Sequence, residues 1–260
     1  MDLNLKDKVV IVTGGAKGIG AGISESFAKE GAKLVIASRP SKMADDFVAE
    51  MEKLTEVLYV KGDFTTPGFC KQVIDDTIAE FGRLDVLVNN AGVNDGVNIT
   101  DSADDFRSSL EKNIVQVFEL VHYGLPHLKA VQGNIVNITS KVAETGQGGT
   151  SGYAASKGAM NALTREWAIE FRDINVRVNA VVPAECMTPL YENWLSTLPD
   201  PKAEEKRISD MIPLGRRMTT CQELADATVF VASDRSSHTT GQILYVDGGY
   251  VHLDRKCTVN

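Results

Sequence analysis

The sequence predicts a doubly wound α/β fold, in which a seven-stranded parallel sheet carries helices on both faces. Short runs of branched apolar residues alternate with helix-period segments along the whole chain. A glycine-rich loop follows the first of these runs, and no internal repeat, low-complexity tract or Pro/Gly/Ser-rich linker divides the 260 residues. We therefore expect one domain spanning residues 1–260.

The predicted strands are short and rich in β-branched residues. They cover residues 9–13, 34–37, 57–61, 86–89, 134–138, 176–182 and 243–246. The predicted helices cover residues 20–30, 68–81, 103–128, 153–171 and 222–233. Because a parallel strand pair needs a long crossover connection, this alternation predicts a sheet whose two faces are both buried under helices.

One stretch, about residues 185–217, shows neither pattern. It carries Pro189, Pro199, Pro201 and Pro213 between the end of the sixth predicted strand and the last predicted helix. Irregular segments at this place are suited to move over a site beyond the carboxyl ends of the strands. We expect a substrate lid here.

Composition and charge exclude several classes of function. The formal net charge is −8 at pH 7, which repels phosphate backbones and anionic lipids, so we expect a small-molecule substrate and neither nucleic acid nor membrane as partner. Four scattered cysteines without a CxxC pair and four unclustered histidines predict free thiols and no metal site. No apolar run approaches the ~18 residues of a membrane span, and we expect a cytoplasmic protein.

The glycine loop after the first strand has the spacing GxxxGxG and leads into a helix. Such a strand–loop–helix unit brings backbone N–H groups and a helix N-terminus up to a phosphate, and glycine is needed where a Cβ would collide. Its place in the first βαβ unit favours dinucleotide binding over a plain tight turn. The contacts predicted there are Gly14, Ala16, Lys17, Gly18, Ile19 and Gly20.

The end of the second strand indicates which dinucleotide is bound. A protein that selects NAD places Asp or Glu there for the ribose hydroxyl, whereas this chain has Ser38 and Arg39, with no carboxylate before Asp45. Arg39 and Lys17 can converge on a 2′-phosphate, which predicts NADP, with NAD as the alternative. The plainer interpretation is that both cations are solvated and that Ser38 and the backbone hold a ribose.

Three residues form a candidate proton-transfer group. Tyr153 and Lys157 stand four positions apart on one face of a predicted helix. A nearby ammonium stabilises a phenolate, so we expect Lys157 to lower the pKa of Tyr153 toward working pH. Ser140 follows a buried strand at the edge where open α/β sheets bind ligands, and we expect it to meet the other two.

An NNAG motif at residues 89–92 follows the fourth strand. With the loop at 13–20 and the Ser140, Tyr153 and Lys157 group, it resembles the short-chain dehydrogenase/reductase family over essentially the whole chain. That resemblance implies a Rossmann-like fold, an NAD(P) cofactor and a catalytic tetrad completed by Asn113. In the family the tyrosine is the acid/base, the lysine also holds the nicotinamide ribose, the serine orients the reacting oxygen and the asparagine positions a water.

The same resemblance implies further contacts and an assembly. It places Asp63 at the adenine and Val182 and Thr188 beside the nicotinamide. The other implied or predicted cofactor contacts are Ser38, Arg39, Phe64, Asn90, Ala91, Gly92, Tyr153, Lys157 and Pro183. The family commonly has Pro-Gly where this chain has Pro183-Ala184, and we expect a slightly different backbone there. Pairing through the helices predicted at 103–128 and 153–171 implies a homotetramer.

Polar and charged side chains dominate the expected substrate contacts. They are Asn94, Asp95, Ser140, Lys141, Gln147, Glu185, Tyr191 and Trp194. A steroid or acyl-chain pocket would be apolar, whereas several hydrogen-bonding groups beside a Trp face suit a polyhydroxylated ring. Two plainer interpretations stay open: Lys141 and Glu185 can form a structural salt bridge, and Trp194 can pack the lid.

Four segments, at residues 90–96, 145–153, 183–190 and 247–255, further resemble bacterial L-fucose-oxidising members of the family. This resemblance implies oxidation of the anomeric hydroxyl of L-fucose, or of a related aldopyranose, to the lactone. The alternatives are a reductase of another carbonyl, such as a sugar-acid ketone or a 3-oxoacyl thioester, and a non-catalytic dinucleotide sensor. The polar contacts argue against an acyl chain, and a sensor needs no proton carrier.

Overall fold

Seven parallel strands form one sheet in the order β3-β2-β1-β4-β5-β6-β7 in the computed structural model, which describes residues 1–253. The strands are β1 Val9–Thr13, β2 Lys33–Ser38, β3 Val57–Lys61, β4 Val86–Asn89, β5 Asn134–Ile138, β6 Arg177–Pro183 and β7 Ile243–Val246. The predicted fold class is confirmed, and each strand end lies within one residue of its predicted place. Cys257 and the end of the segment at 247–255 lie outside the described residues.

Nine α-helices are described between residues 1 and 253. They are α1 Gly18–Lys29, α2 Lys42–Met51, α3 Phe69–Phe81, α4 Ala103–Leu110, α5 Gln116–Val131, α6 Ser151–Glu170, α7 Pro189–Ser196, α8 Pro201–Asp210 and α9 Cys221–Ala232. The helix predicted at 103–128 is α4 and α5 joined by one π-helical turn, Glu111–Val115. Sequence reasoning missed α2, which Ser41 caps by accepting a hydrogen bond from the Ala44 N–H.

The segment expected to be irregular, at about 185–217, contains the helices α7 and α8. Its prolines act as helix starts rather than loop signals: Pro189 and Pro201 stand in the first turns, after the capping side chains of Thr188 and Asp200. Proline suits that position because its fixed φ is helical and the N–H that it lacks has no partner in the first turn. The expectation of an irregular stretch is therefore wrong, and the candidate lid is a helical pair.

Alternate residues of each strand face opposite sides of the sheet, and a hydrophobic core covers each side. On one side Val10 and Val12 of β1 pack in a core with residues of α1, α2 and α9. On the other side Val9 and Ile11 pack with residues of α3, α5 and α6. Since both faces are covered, the carboxyl ends of the strands are the open edge of the sheet.

That edge is held together at the point where the strand order reverses, between β1 and β4. The Thr13 hydroxyl accepts hydrogen bonds from the backbone N–H groups of Asn90 and Ala91, each at 2.9 Å. Next to it, Asn89 donates to Asn137 of β5 and Asn137 donates to Thr164 of α6, again at 2.9 Å. A crevice at such a reversal is where open α/β sheets bind ligands. None of the helices between residues 1 and 253 is both long and apolar enough to cross a bilayer.

Replacing Gly20 with alanine is expected to destabilise the protein by about 1–3 kcal/mol, the usual penalty of overpacking. A Cβ on Gly20 would lie 2.2 Å from the Gly14 carbonyl oxygen and 2.6 Å from Asn90 Nδ2. Urea unfolding at equilibrium measures the change. The matched control is Gly158→Ala in α6, where a Cβ meets nothing within 4 Å outside its own helix and the better helix propensity predicts a gain of roughly 0.5–1 kcal/mol. Equal effects of the two substitutions would contradict the assigned close approach.

Candidate active site

The glycine loop connects β1 to α1 at the open edge of the sheet, and its backbone has a shape that can bind an anion. Gly14 and Gly18 adopt left-handed backbone, with φ of +63° and +55°, which glycine accommodates without strain. Helix α1 begins at Gly18 without a side-chain cap, so its first N–H groups are free for a ligand. The tight approach of Gly20 to Gly14 leaves no room for a Cβ. These features fit the pyrophosphate of a dinucleotide.

The second strand ends beside the same loop with a cation and no carboxylate. Ser38 Oγ lies 3.3 Å from the Tyr59 hydroxyl, and Arg39 and Lys17 are exposed. Within residues 1–253 neither cation forms an ion pair. Asp63 accepts hydrogen bonds from the N–H and the hydroxyl of Thr65, at 2.9 and 2.8 Å. These bonds, and more weakly the charge of Arg39, hold the pKa of Asp63 below its usual value. Phe64 packs its ring against Phe69.

Asn113 is buried in the π-helical turn between α4 and α5. Its Oδ1 accepts a 2.7 Å hydrogen bond from the Val93 N–H, and its Nδ2 donates to the Ser109 carbonyl at 2.9 Å. A Cβ on Gly92 would lie 2.9 Å from Asn113 Oδ1 and 3.6 Å from Lys157 Nζ. The π turn therefore aims Asn113 at the NNAG segment and at Lys157. Nothing in the residues 111–115 predicts this turn.

Tyr153 and Lys157 occupy one face of α6, as predicted, and Ser140 stands at the end of the segment after β5. Lys157 Nζ donates a 2.8 Å hydrogen bond to the Ile138 carbonyl and lies 5.6 Å from the centre of the Tyr153 ring. The Ser140 hydroxyl acts on the Tyr153 phenol by lowering its pKa. The structure thus brings the four predicted tetrad residues to one place.

The expected direction of the Tyr153 pKa is wrong for this structure. Burial raises the pKa of Tyr153 to about 12, and the opposing effect of Ser140 is smaller. Burial also lowers the pKa of Lys157 to about 8. The ammonium is directed at the Ile138 carbonyl rather than at the phenol oxygen, so desolvation of the phenolate prevails over attraction by the cation. Tyr153 therefore keeps its proton at neutral pH.

A second polar group lies directly after Ser140. Lys141 forms an ion pair with Glu185, and both side chains are only 10% exposed. The Tyr191 hydroxyl donates to the other Glu185 oxygen at 2.9 Å. The Lys141 ammonium also lies 4.4 Å from the centre of the Tyr250 ring, and burial lowers its pKa to about 8. The salt-bridge interpretation of Lys141 and Glu185 is thus realised in the structure, beside the proton-transfer group.

Tyr250 is a functional candidate that sequence reasoning missed. It follows two glycines with left-handed backbone, Gly248 and Gly249, after the last strand. An aromatic residue after a double glycine beyond the last strand was the available signal. Its position over Lys141 depends on a contact between chain segments more than a hundred residues apart, which no local pattern shows.

The remaining expected substrate contacts are less enclosed. Asp95 is bound by the Ser109 hydroxyl at 2.8 Å and by Lys112 at 3.2 Å. Asn94 and Gln147 are exposed. Trp194 is 44% exposed and packs edge-on against Tyr191 with ring centres 5.3 Å apart, so it both packs α7 and presents a free surface.

Two expected cofactor contacts come from the segment after β6. Pro183 is the buried last residue of β6. The Thr188 methyl lies against the glycine loop, since a Cβ on Gly18 would be 3.3 Å from Thr188 Cγ2. Ala184 is not among the residues with positive φ, so the Pro-Ala departure causes no backbone strain. Within residues 1–253 no group of His, Cys, Asp and Glu side chains is arranged to hold a metal ion.

Comparison with known sequences gives a consistent set of relatives. A family model described as enoyl-(acyl carrier protein) reductase matches residues 14–251. The L-fucose dehydrogenase of Bos taurus is 38% identical over 251 residues, which are 96% of this chain and 92% of the bovine protein. The 3-oxoacyl-(acyl-carrier-protein) reductase FabG of Thermotoga maritima is 37% identical over 253 residues, 96% of this chain and 100% of that protein.

Solved structures agree with this picture. The Cj0485 dehydrogenase superimposes with a TM-score of 0.95 at 45% identity, covering 100% of both chains. The L-sorbose reductase from Gluconobacter frateurii, complexed with NADPH and L-sorbose, has a TM-score of 0.93 at 28% identity and covers 98% of this chain and 100% of its own. The similarity extends over at least 98% of this chain in both cases.

Replacing Lys157 with methionine is expected to raise stability at pH 7. The pKa of Lys157 falls from 10.5 to about 8 on folding, so below pH 8 the charge is present in both states and its burial opposes folding, by on the order of 3 kcal/mol. Between about pH 8 and 10.5 the unfolded state keeps the proton that the folded state has lost, and stability rises with pH. The gain from Lys157→Met is therefore expected to be largest below pH 8 and to vanish near 10.5.

Urea unfolding at pH 7 and at pH 10 measures the difference. The control is Lys202→Met, because Lys202 is exposed on α8 and its loss is expected to change stability by less than about 0.5 kcal/mol. A Lys157→Met protein that is less stable than the parent at pH 7 would show that the bond to Ile138 outweighs the burial of the charge.

Proposed function

The chain belongs to the short-chain dehydrogenase/reductase family and is an NAD(P)-dependent oxidoreductase, and from this premise we propose its reaction. The protein oxidises the anomeric hydroxyl of L-fucose, or of a related aldopyranose, to the lactone, with NADP preferred over NAD. The observation that carries the proposal is the buried ion pair of Lys141 and Glu185, extended by Tyr191, directly beside Ser140. The 38% identity to an L-fucose dehydrogenase supports the same substrate class.

Each residue of the site has a separate role in the proposed oxidation. A bound NAD(P) supplies the acceptor for the hydride that leaves the anomeric carbon, and the glycine loop with the free N-terminus of α1 would hold its pyrophosphate. Ser140 orients the anomeric hydroxyl, and Tyr153 accepts its proton while giving up its own phenol proton. Lys157 and Asn113 both pack against Gly92, and we assign them the relay that carries this proton away.

The ion pair supports a polyhydroxylated ring as the favoured substrate. Glu185 retains acceptor capacity beyond the bonds from Lys141 and Tyr191, and Lys141 has donors left after its pairing with Glu185. Hydroxyl groups of a sugar can satisfy both, whereas an alkyl chain would leave a buried charged pair against an apolar surface. The exposed ring of Trp194 offers an apolar surface for the carbon face of a pyranose.

The preference for NADP is supported by the charges at the end of β2. Lys17 and Arg39 are exposed cations with no ion-pair partner within residues 1–253, and no carboxylate occupies the ribose position at the strand end. The L-sorbose reductase that shares the fold is complexed with NADPH. With NAD, the Ser38 hydroxyl and backbone would hold the ribose instead.

Reduction of another carbonyl is the second candidate. The 37% identity to a 3-oxoacyl-(acyl-carrier-protein) reductase favours a thioester substrate, but the charged pair at residues 141 and 185 does not suit an acyl chain. A sugar-acid ketone would suit the polar site. A non-catalytic dinucleotide sensor would not need the assembled Ser140, Tyr153 and Lys157 group.

The proposal includes a cytoplasmic homotetramer that acts on a small molecule, without nucleic-acid or membrane partners. Cys70, Cys186 and Cys221 are free thiols, which suits a reducing compartment. Exposed apolar residues on the helices expected to pair, Phe118 at 55% and Ile169 at 66% exposure, support subunit contacts there.

Initial rates of NAD(P)H formation with L-fucose, D-arabinose, L-galactose and their epimers test the reaction. Turnover of one ring configuration is expected, with NADP giving the higher kcat/KM. Tyr153→Phe is expected to lower kcat by at least about 10²-fold, because the proton acceptor is lost, while the Kd for NADPH stays within about threefold.

Two outcomes would contradict this proposal. If no sugar in the panel is oxidised although NADPH still binds, ketone reduction or sensing is favoured. Reduction of a 3-oxoacyl thioester at a high rate would favour the second candidate. Retained turnover in Tyr153→Phe would refute the role given to the phenol, whatever the substrate.

Replacing Arg39 with alanine is expected to lower kcat/KM for NADP by roughly 10- to 100-fold, the size of a charge-assisted hydrogen bond to a phosphate. The value for NAD is expected to change by less than about threefold. Lys61→Ala is the matched control: Lys61 is an exposed cation at the end of the neighbouring strand but is paired with Asp45 at 2.6 Å. An equal loss of NADP and NAD activity in Arg39→Ala would mean that Arg39 does not contact the 2′-phosphate.

A further inference from the structure

Two cysteines from distant parts of the chain meet where the segment after β6 passes the start of α9. The Sγ atoms of Cys186 and Cys221 are 3.6 Å apart. Cys186 is 4% exposed, whereas Cys221 is half-buried in the first turn of α9. Both thiols are free, and the two sulfur atoms need to move only a short distance to form a disulfide.

The backbone holds these two segments together independently of the sulfur atoms. Cys186 forms a parallel β-bridge with Thr219, and the Thr219 N–H donates to the Glu185 carbonyl at 2.9 Å. The thiol of Cys221 also approaches the Met187 carbonyl at 3.9 Å. The two cysteines are therefore kept in register by a built junction.

We propose that Cys186 and Cys221 are a redox modification site, at which a hydroperoxide converts the two thiols into a disulfide that lowers the activity of the enzyme. The proposal does not depend on which sugar or carbonyl is the substrate, and it concerns residues outside the proton-transfer group. Cys70 has no part in it, because its thiol is fully buried and donates to the Gln116 carbonyl at 3.7 Å.

Cys221 is the thiol that reacts first. The hydrogen bond from Cys186, and more weakly one from its own backbone N–H, lower its pKa to about 7, while the same contact and burial raise the pKa of Cys186. The Cys221 thiolate attacks the peroxide oxygen, which breaks the O–O bond, releases an alcohol or water and leaves a sulfenic acid. The sulfur of Cys186 then attacks the sulfenic sulfur and water leaves. In sum two thiols and one hydroperoxide give one disulfide, one alcohol and one water, with two electrons passing to the peroxide.

The junction connects the disulfide to both halves of the active site. Cys186 directly follows Glu185 and stands two residues before Thr188, which lies against the glycine loop. The Cys221 backbone packs against α1, since a Cβ on Gly22 would be 3.1 Å from the Cys221 carbonyl oxygen. Formation of a bond of about 2.05 Å draws the two segments together and displaces Glu185 and Thr188.

The test treats the full-length protein with hydrogen peroxide and follows thiols and activity together. The expected product is a Cys186–Cys221 crosslinked peptide, lighter by two hydrogens in mass spectrometry. The expected loss of kcat/KM is at least about fivefold and is reversed by dithiothreitol. Cys221→Ser is expected to keep the activity of the untreated protein and to lose the sensitivity to peroxide.

Cys70→Ser and Cys257→Ser serve as controls and are expected to leave both the crosslink and the sensitivity unchanged. Cys186→Ala provides a second disruption of the pair, in case a serine at position 221 alters α9. A peroxide-treated protein with no crosslink, or with inactivation that persists in both Cys221→Ser and Cys186→Ala, would overturn the proposal. Because the crosslink is measured by mass, its absence is distinguishable from a failure to find the sugar substrate.

Discussion

Everything at the active edge depends on one short set of hydrogen bonds between the ends of β1 and β4. The Thr13 hydroxyl receives two backbone N–H groups of the NNAG segment, and Asn90 Nδ2 returns a 2.8 Å bond to the Thr13 carbonyl. A parallel sheet must open where its strand order reverses, because the connections on either side leave in opposite directions. These bonds hold the ends of β1 and β4 together at the opening. They also set the distance between the glycine loop and Gly92, against which Asn113 and Lys157 pack.

The site holds two lysines under conditions that disfavour their charge. Burial lowers the pKa of Lys141 and of Lys157 to about 8 in each case, yet the two are accommodated differently. Lys157 is satisfied by a backbone carbonyl, which leaves its charge uncompensated and available to an anion. Lys141 is paired with Glu185, which neutralises the ammonium charge but keeps polar atoms buried away from solvent. The first arrangement suits transfer of a proton and the second suits recognition of hydroxyl groups.

Most of the fold could be predicted because its signals are local. Runs such as Val9–Thr13 are buried on both faces and have no competing helical interpretation, so their ends agree with the structure within a residue. The prolines of α7 and α8 led to a wrong prediction of irregular structure, because proline favours both turns and helix starts. Only the capping residue before the proline distinguishes a helix start from a turn. The π turn at Asn113 could not be predicted, since it depends on packing against the NNAG segment rather than on helix propensity.

The candidate site shows the same division. Tyr153 and Lys157 were predictable from their spacing on one helix, and Ser140 from its place at a strand end. The pKa of Tyr153 was not, because desolvation depends on the surroundings of the folded phenol and a sequence supplies only the neighbouring charge. The pairing of Lys141 with Glu185, and of Cys186 with Cys221, joins positions more than thirty residues apart. Such contacts follow from the crossovers of the sheet, so the sequence left the first open as one of two interpretations and gave no sign of the second.

The π-helical turn between α4 and α5 also limits how this chain can change length. One π turn inserts a single residue into an otherwise regular helix, and the Gln116 side chain holds it by donating to the carbonyls of Ala91 and Lys112. Loss of one residue from this segment would restore a continuous α-helix in phase, whereas relaxation of the turn to α-helix with every residue kept would rotate α4 by about 100° relative to α5. The buried face of α4 would then point away from α6. The π turn therefore sets the rotation of α4 relative to α5, and a further insertion is tolerated less readily at this point than in the loops on either side.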